Sequence, residues 1–261
     1  MQYALLQRYL DQTLTREQME EASVAAPEVA RADCARLHRE LFGIVADRLD
    51  KFNARAFQQA LAAFGFECDL VPESELFRLP PAYGINALGL DMDHLEWADL
   101  YGRGRRLPMR ACVFVAAGWL AKDSMRLDNR HRSGAKAEMR IRYMANGGVA
   151  EQTGTIARVQ RFRLDCFLSE PPFRIEWSLA WRQIKILNGH PVQCEDTETL
   201  SRFLRLLVEK MPPGRTNRGA ERFGRPDEPI YPNPRAFDEE IIWHFHRLRI
   251  EQRRQTPPSA S

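Results

Sequence analysis

The chain lacks any apolar run approaching the roughly 18–20 residues that cross a bilayer as a helix, so no helical membrane span and no membrane partner are expected. Cysteine is scarce. The five residues, Cys34, Cys68, Cys112, Cys166 and Cys194, are odd in number and widely spaced, with no CxxC or CxxH pair. That pattern suggests neither a disulfide framework nor a zinc site, and a reducing, cytoplasmic setting fits it best. The first residues show no charged segment leading into an apolar one, so a secretory signal is not expected. There is no internal repeat and no GxxxxGK[ST] phosphate loop. No motif names a reaction, and whether the chain is an enzyme stays open at this level.

Lysine is also rare, at five residues against 33 arginines. A GC-rich genome explains such a ratio without any function. It does not explain where the arginines fall. Residues 1–100 carry 9 Lys and Arg against 17 Asp and Glu, whereas residues 101–163 carry 14 against 4. An acidic block followed by a basic one speaks about partners and fields, not about fold. Either the blocks neutralise each other, within one chain or between copies, or the basic one faces an external polyanion.

The hydrophobic pattern predicts an α+β protein: an acidic helical N-terminal region, a central antiparallel sheet of about four to six strands with a basic face, and C-terminal helices. The expected divisions are a helical region over 1–65, an irregular connector over 66–108, the sheet with a helix over 109–210, and an Arg/Pro/Gly-rich loop with a final helix over 211–261. The last two are expected to form one compact body. Thr15-Arg-Glu-Gln18 reads as a capping box. Leu37, Leu41, Val45 and Leu49 recur at i+4 and predict one apolar helix stripe, with Asn53 capping the next helix and Gly65 ending it. Pro72, Pro80, Pro81, Gly84 and Gly89 break the pattern of the connector.

Beyond it the period becomes strand-like. Residues 110–117 read as a central strand, while 137–144, 161–168 and 173–181 alternate apolar and polar side chains, with Asn146-Gly147 and Asn188-Gly189 as hairpin signals. Leu200, Phe203, Leu204, Leu207 and Val208 predict a helix that Met211-Pro-Pro-Gly stops, and a last amphipathic helix begins near Asp238.

The strongest candidate surface is basic. Arg140, Arg142, Arg161 and Arg163 fall on the outward faces of the predicted strands, and Arg103, Arg105, Arg106, Arg130 and Arg132 lie in adjoining loops. A ladder of cations on a solvated face repels itself unless an anion lies over it. These nine arginines are the candidate nucleic-acid contacts, suited to phosphates without base readout and unable to separate DNA from RNA. Asp91, Asp93 and His94 form a metal-like cluster, which would place a divalent cation in a phosphoesterase or nuclease. The competing reading is an acidic helix start. A third reading makes the chain a scaffold or assembly subunit, with a protein partner or a homo-oligomer joining acidic to basic surfaces. His190 on its predicted turn and Cys194 are better read as turn and core residues than as a catalytic pair.

Overall fold

The computed structural model describes residues 1–29, 31–127, 154–178, 183–186, 191–193 and 197–255. At the N-terminus β1 (Tyr3–Gln7), α1 (Arg16–Ser23), α2 (Arg31–Arg39), β2 (Ile44–Leu49), α3 (Lys51–Ala63) and β3 (Cys68–Pro72) follow one another. β1 is the middle strand and runs antiparallel to both β2 and β3. The capping box forms as read: Thr15 Oγ1 accepts from the Gln18 N–H at 3.2 Å, and the Gln18 side chain accepts from the Thr15 N–H at 2.9 Å. Met19, Ala22, Phe57 and Leu61 from the helices pack on Leu5 and Val45 from the sheet.

The expected stripe from Leu37 to Leu49 is not one helix. α2 ends at Arg39, and Val45 and Leu49 belong to β2. A spacing of four keeps residues on one face of a strand as well as of a helix, so the periodicity did not discriminate. Gly43 decides the matter with φ +106°, a conformation that side chains resist, and a Cβ there would lie 2.6 Å from Trp243 Cβ. α3 is capped by Asp50, not Asn53; the Asp50 carboxylate accepts from the Asn53 N–H at 2.7 Å.

The second sheet has nine strands: β4 (Tyr83–Asp91), β5 (His94–Asp99), β6 (Gly104–Pro108), β7 (Cys112–Leu127), β8 (Gly154–Leu168), β9 (Arg174–Ser178), β10 (Gln183–Ile186), β11 (Pro191–Gln193) and β12 (Ile230–Tyr231). Its order is β11-β10-β4-β9-β8-β7-β12, with β5 beside β4 and β6 beside β5. Most pairs are antiparallel, as expected, but β10 with β4, β4 with β9 and β12 with β7 are parallel. The stretch 66–108, expected as an irregular connector, holds β3 and the β4-β5-β6 meander. Pro80 and Pro81 mark only the gap before β4. The expected strand over 137–144 and both Asn-Gly hairpins lie outside the described residues.

Helices α4 (Thr197–Glu209), α5 (Arg218–Glu221) and α6 (Pro234–Gln255) complete the fold. α4 lays Leu200, Phe203, Leu204 and Leu207 on one face of the large sheet, against Phe162, Leu164 and Trp177. α6 covers the other face. Phe237, Ile241 and Phe245 pack on Phe114 and Phe167, whereas Ile242 and Trp243 turn toward Ala4, Leu6 and Ile44 of the small sheet. One helix therefore sits between two sheets. Each of these large side chains contributes roughly 1.5–3 kcal/mol on burial.

Residues 214–234, expected as a long loop, form an ordered strap along β7. Val115 donates to the Arg215 carbonyl at 3.0 Å, and the Asn217 side chain exchanges two hydrogen bonds with the Ala117 backbone, at 2.8 and 3.0 Å. The amide of Asn217 also donates to Tyr231 Oη, which in turn donates to the fully buried Glu240 at 3.1 Å. Although burial works against its charge, the nearby His244 imidazole and the hydrogen bonds and attraction of Arg218 hold the Glu240 carboxyl down to about 2.

Where α6 meets the small sheet, a different acid behaves in the opposite way. Glu239 is buried, and desolvation pushes its carboxyl up to about 7 against the pull of Arg235 at 2.6 Å. Asp47 of β2 and Glu40 beyond α2 add to the rise, and Arg235 must also serve Asp47 at 3.0 Å. A folded-state value raised from 4.5 to about 7 means that the folded chain holds this proton more tightly than the unfolded one. The Glu239 contribution is therefore favourable below about 4.5 and is lost as the pH rises through about 7. Glu239→Gln is expected to flatten this decline. Urea midpoints at pH 5 and pH 8 measure it: the variant should gain on the parent at pH 8, and identical pH dependence of the two would contradict the assignment.

Candidate nucleic-acid interface

Three arginines of the basic block lie on the β5–β6 hairpin. Asp99, almost fully buried at the end of β5, organises its turn. Its carboxylate accepts from the N–H groups of Tyr101 and Arg103, both at 2.9 Å, from Tyr83 Oη at 3.0 Å and from Arg103 Nε at 2.7 Å. Burial pushes this carboxyl up, but the convergent donors outweigh it and bring it down to about 2. One acid thus fixes the turn and leaves the Arg103 side chain 70% exposed.

Arg105 and Arg106 follow on β6, which pairs only with β5 among the described residues. Arg106 bonds Asp91 at 2.7 Å and lies 3.4 Å from Glu96. Arg105 has no carboxylate partner among the described residues. Its guanidinium donates to the Pro171 carbonyl at 3.3 Å and stands 5.7 Å from the Trp97 ring centre. Arg105, Arg106, Trp97 and the backbone of Gly89, Gly102 and Gly104 line a cleft of about 350 Å³. The Trp97 indole N–H is buried and makes no hydrogen bond among the described residues.

The other expected contacts divide. Arg161 is exposed on β8. Arg163, expected outward, is buried beneath α6. It binds Asp165 through Nε and Nη2 at 3.0 and 2.8 Å and Asp238 at 2.8 Å, with its guanidinium 4.7 Å from the Phe237 ring centre. Arg174 joins the same carboxylates at 2.8 and 3.2 Å. Although burial opposes the charged form, Asp165, Asp238 and Glu176 raise the Arg163 value further above its ordinary range. The alternation located Arg163 correctly on the face opposite Phe162 and Leu164, but that face is covered, not solvated. Arg130, Arg132, Arg140 and Arg142 lie outside the described residues, as do His190 and Cys194.

The metal-like cluster is not assembled. Asp91 and His94 face each other across the β4–β5 turn, yet Arg106 takes up the Asp91 carboxylate and Lys210 stands 3.3 Å from Asp93. Among the described residues no three His, Cys, Asp or Glu side chains are placed to hold a metal ion. Cations sit where a cation would have to bind, which is the physical objection to this site. Nor do Asp91 and Asp93 open a helix: they end β4 and form the turn.

Charge neutralisation is split between two places. Asp91, Glu96 and Asp99 pair with Arg106 and Arg103, while Asp11, Asp47 and Asp69 reach Arg222, Arg235 and Arg247 of the C-terminal segment. Acidic and basic side chains thus meet within one chain. Residues that sequence reasoning passed over are Trp97 and Tyr101, which put aromatic rings beside Arg105 and Arg103, whereas Phe173, expected to face inward on its alternating strand, is half exposed just before β9. The available signal was Leu100-Tyr101-Gly102-Arg103-Gly104, an aromatic next to arginine in a glycine-flanked turn.

The fold is that of a mixed α+β protein, and among the described residues no helix is long and apolar enough to cross a membrane. Compared with protein-family models, curated proteins and solved structures, the chain matches none.

Proposed function

We propose that this chain binds nucleic acid, gripping phosphates through Arg103, Arg105 and Arg106 on the β5–β6 hairpin, with Arg130, Arg132, Arg140, Arg142 and Arg161 extending the contact. The observation that carries the reading is Arg105, an exposed arginine that lines the cleft and has no carboxylate partner among the described residues. Paired arginines keep donors to spare: Arg103 uses Nε for Asp99, and most of its side chain is exposed. A guanidinium over an indole is also already oriented, so less freedom is lost when an anion arrives.

The test is fluorescence anisotropy with labelled DNA and RNA between 50 and 200 mM salt. Each neutralised phosphate contributes about −0.7 to −0.9 to the slope of log affinity against log salt, so four to six contacts give roughly −3 to −5. Arg103→Ala, Arg105→Ala and Arg106→Ala together should reduce the slope by about 2–3. A flat salt dependence, or no association at 50 mM, would reject the proposal.

A further inference from the structure

Two exposed rings stand at the end of the sheet that carries these arginines. Tyr101 is 84% exposed and Phe173 is 50% exposed. Their common location follows from register. β9 enters the sheet with Ile175 opposite Tyr83, and β5 leaves it with Asp99 opposite Ile85. Phe173 precedes the first of these pairings by two residues and Tyr101 follows the second by two. Both therefore project past the same edge, where β4 begins. β4 alone separates their strands, so the rings emerge about two strand spacings apart, roughly 10 Å.

Neither ring stands in a purely apolar patch. The Arg103 guanidinium lies 5.2 Å from the Tyr101 ring centre, and Arg105 is bonded to Pro171, two residues before Phe173. The Tyr101 backbone is held by Asp99, so the ring is presented from a fixed turn. Arg103 covers one face of Tyr101, and the exposure of the side chain leaves the rest open.

We infer that this end of the sheet takes single-stranded nucleic acid, with bases stacked on Tyr101 and Phe173 while Arg103 and Arg105 hold the intervening phosphates. The inference rests on the nucleic-acid reading above and adds the strandedness of the ligand. In a duplex the base faces are stacked on one another and unavailable, whereas an unpaired strand offers every face to a protein ring. An exposed ring beside an oriented guanidinium also matches the chemistry of a base joined to its phosphate. A partner protein would meet these rings too, but would not demand two arginines set beside them.

Three labelled or competing polyanions separate the possibilities: a 20-nucleotide oligo-dT, a 20-base-pair duplex and heparin. The full chain is expected to bind the single strand more tightly than the duplex. Tyr101→Ala and Phe173→Ala should each weaken single-strand binding roughly 5- to 150-fold, the range measured for loss of one stacked base. Duplex and heparin affinities should change less than about twofold, because the cations remain. Tyr101→Trp should retain single-strand binding, which a merely structural role for the tyrosine hydroxyl would not allow.

A duplex bound as tightly as the single strand, or aromatic variants that weaken all three ligands equally or none, would overturn this inference and leave the phosphate-binding proposal standing. Failure of the full chain to bind any of the three would remove both.

Discussion

Replacement of Gly219 by alanine is expected to destabilise the protein by about 3 kcal/mol or more, at the upper end of what overpacking a close contact costs. A Cβ at this position would overlap the Ala117 carbonyl oxygen and come within 3.1 Å of Tyr231 Oη. Both neighbours are committed. The Ala117 carbonyl accepts from Asn217, and the Tyr231 hydroxyl links Asn217 to Glu240. Backbone cannot move aside as a flexible side-chain end can, so the strap must lift off β7 or the Asn217 contacts must break. Tyr231 also leaves no space at Gly118 of β7, so the strap and strand are complementary from both sides. Gly84→Ala, where nothing lies within 4 Å of the added carbon, is the control and should melt close to the parent. Equal urea midpoints for the two variants would show that the strap does not bear on global stability.

The second large effect concerns Asp165. It is fully buried and accepts from both Arg163 and Arg174, so Asp165→Ala leaves two guanidinium groups with only the part-exposed Asp238 and, 3.6 Å from Arg163, Glu176. Removing one partner from a buried charge network costs about 3–5 kcal/mol, chiefly because the surviving charges lose compensation. Replacing Arg163, Asp165 and Arg174 together by methionine, leucine and methionine is expected to recover much of that loss, since no buried charge would remain among the three. Denaturant midpoints distinguish the cases. If the triple replacement is worse than Asp165→Ala, shape rather than charge governs the site. Arg163→Glu belongs with these variants. It is expected to unfold the protein, and a loss of nucleic-acid binding in that variant would say nothing about a binding surface.

Arg163 also shows where reading the chain stopped. The alternation Phe162, Leu164, Cys166 against Arg161, Arg163, Asp165 located the two faces of β8 correctly. What lay over the charged face was not contained in it. Opposite charges two residues apart share a strand face, and Arg163 with Asp165 already offered a self-neutralising pair. Arg174 stands nine residues from Asp165, and Asp238 stands 75 from Arg163. The same limit applied at Val45 and Leu49, whose spacing suited a helix until pairing with β1 claimed them for a strand. On the β5–β6 hairpin the arginines were legible, but the rings beside them were not, because Phe173 reaches that end of the sheet only through β9.

The sequence by itself determined what depends on a few neighbouring residues: the Thr15 capping box, the apolar face of α4, the two faces of β8, the stop after Met211 and the separation of acidic from basic segments. Each follows from hydrogen bonds or periodicities that close within one or two turns of chain. Tertiary structure decided which faces are covered. α6 is apolar toward two sheets at once, and only its insertion between them buries Arg163 and Glu239 while Arg105 stays at the surface. A charge on a strand costs little in water and several kcal/mol under a helix without partners. The same residue type therefore serves as a structural cation at one position and a candidate phosphate contact at another, according to what packs above it.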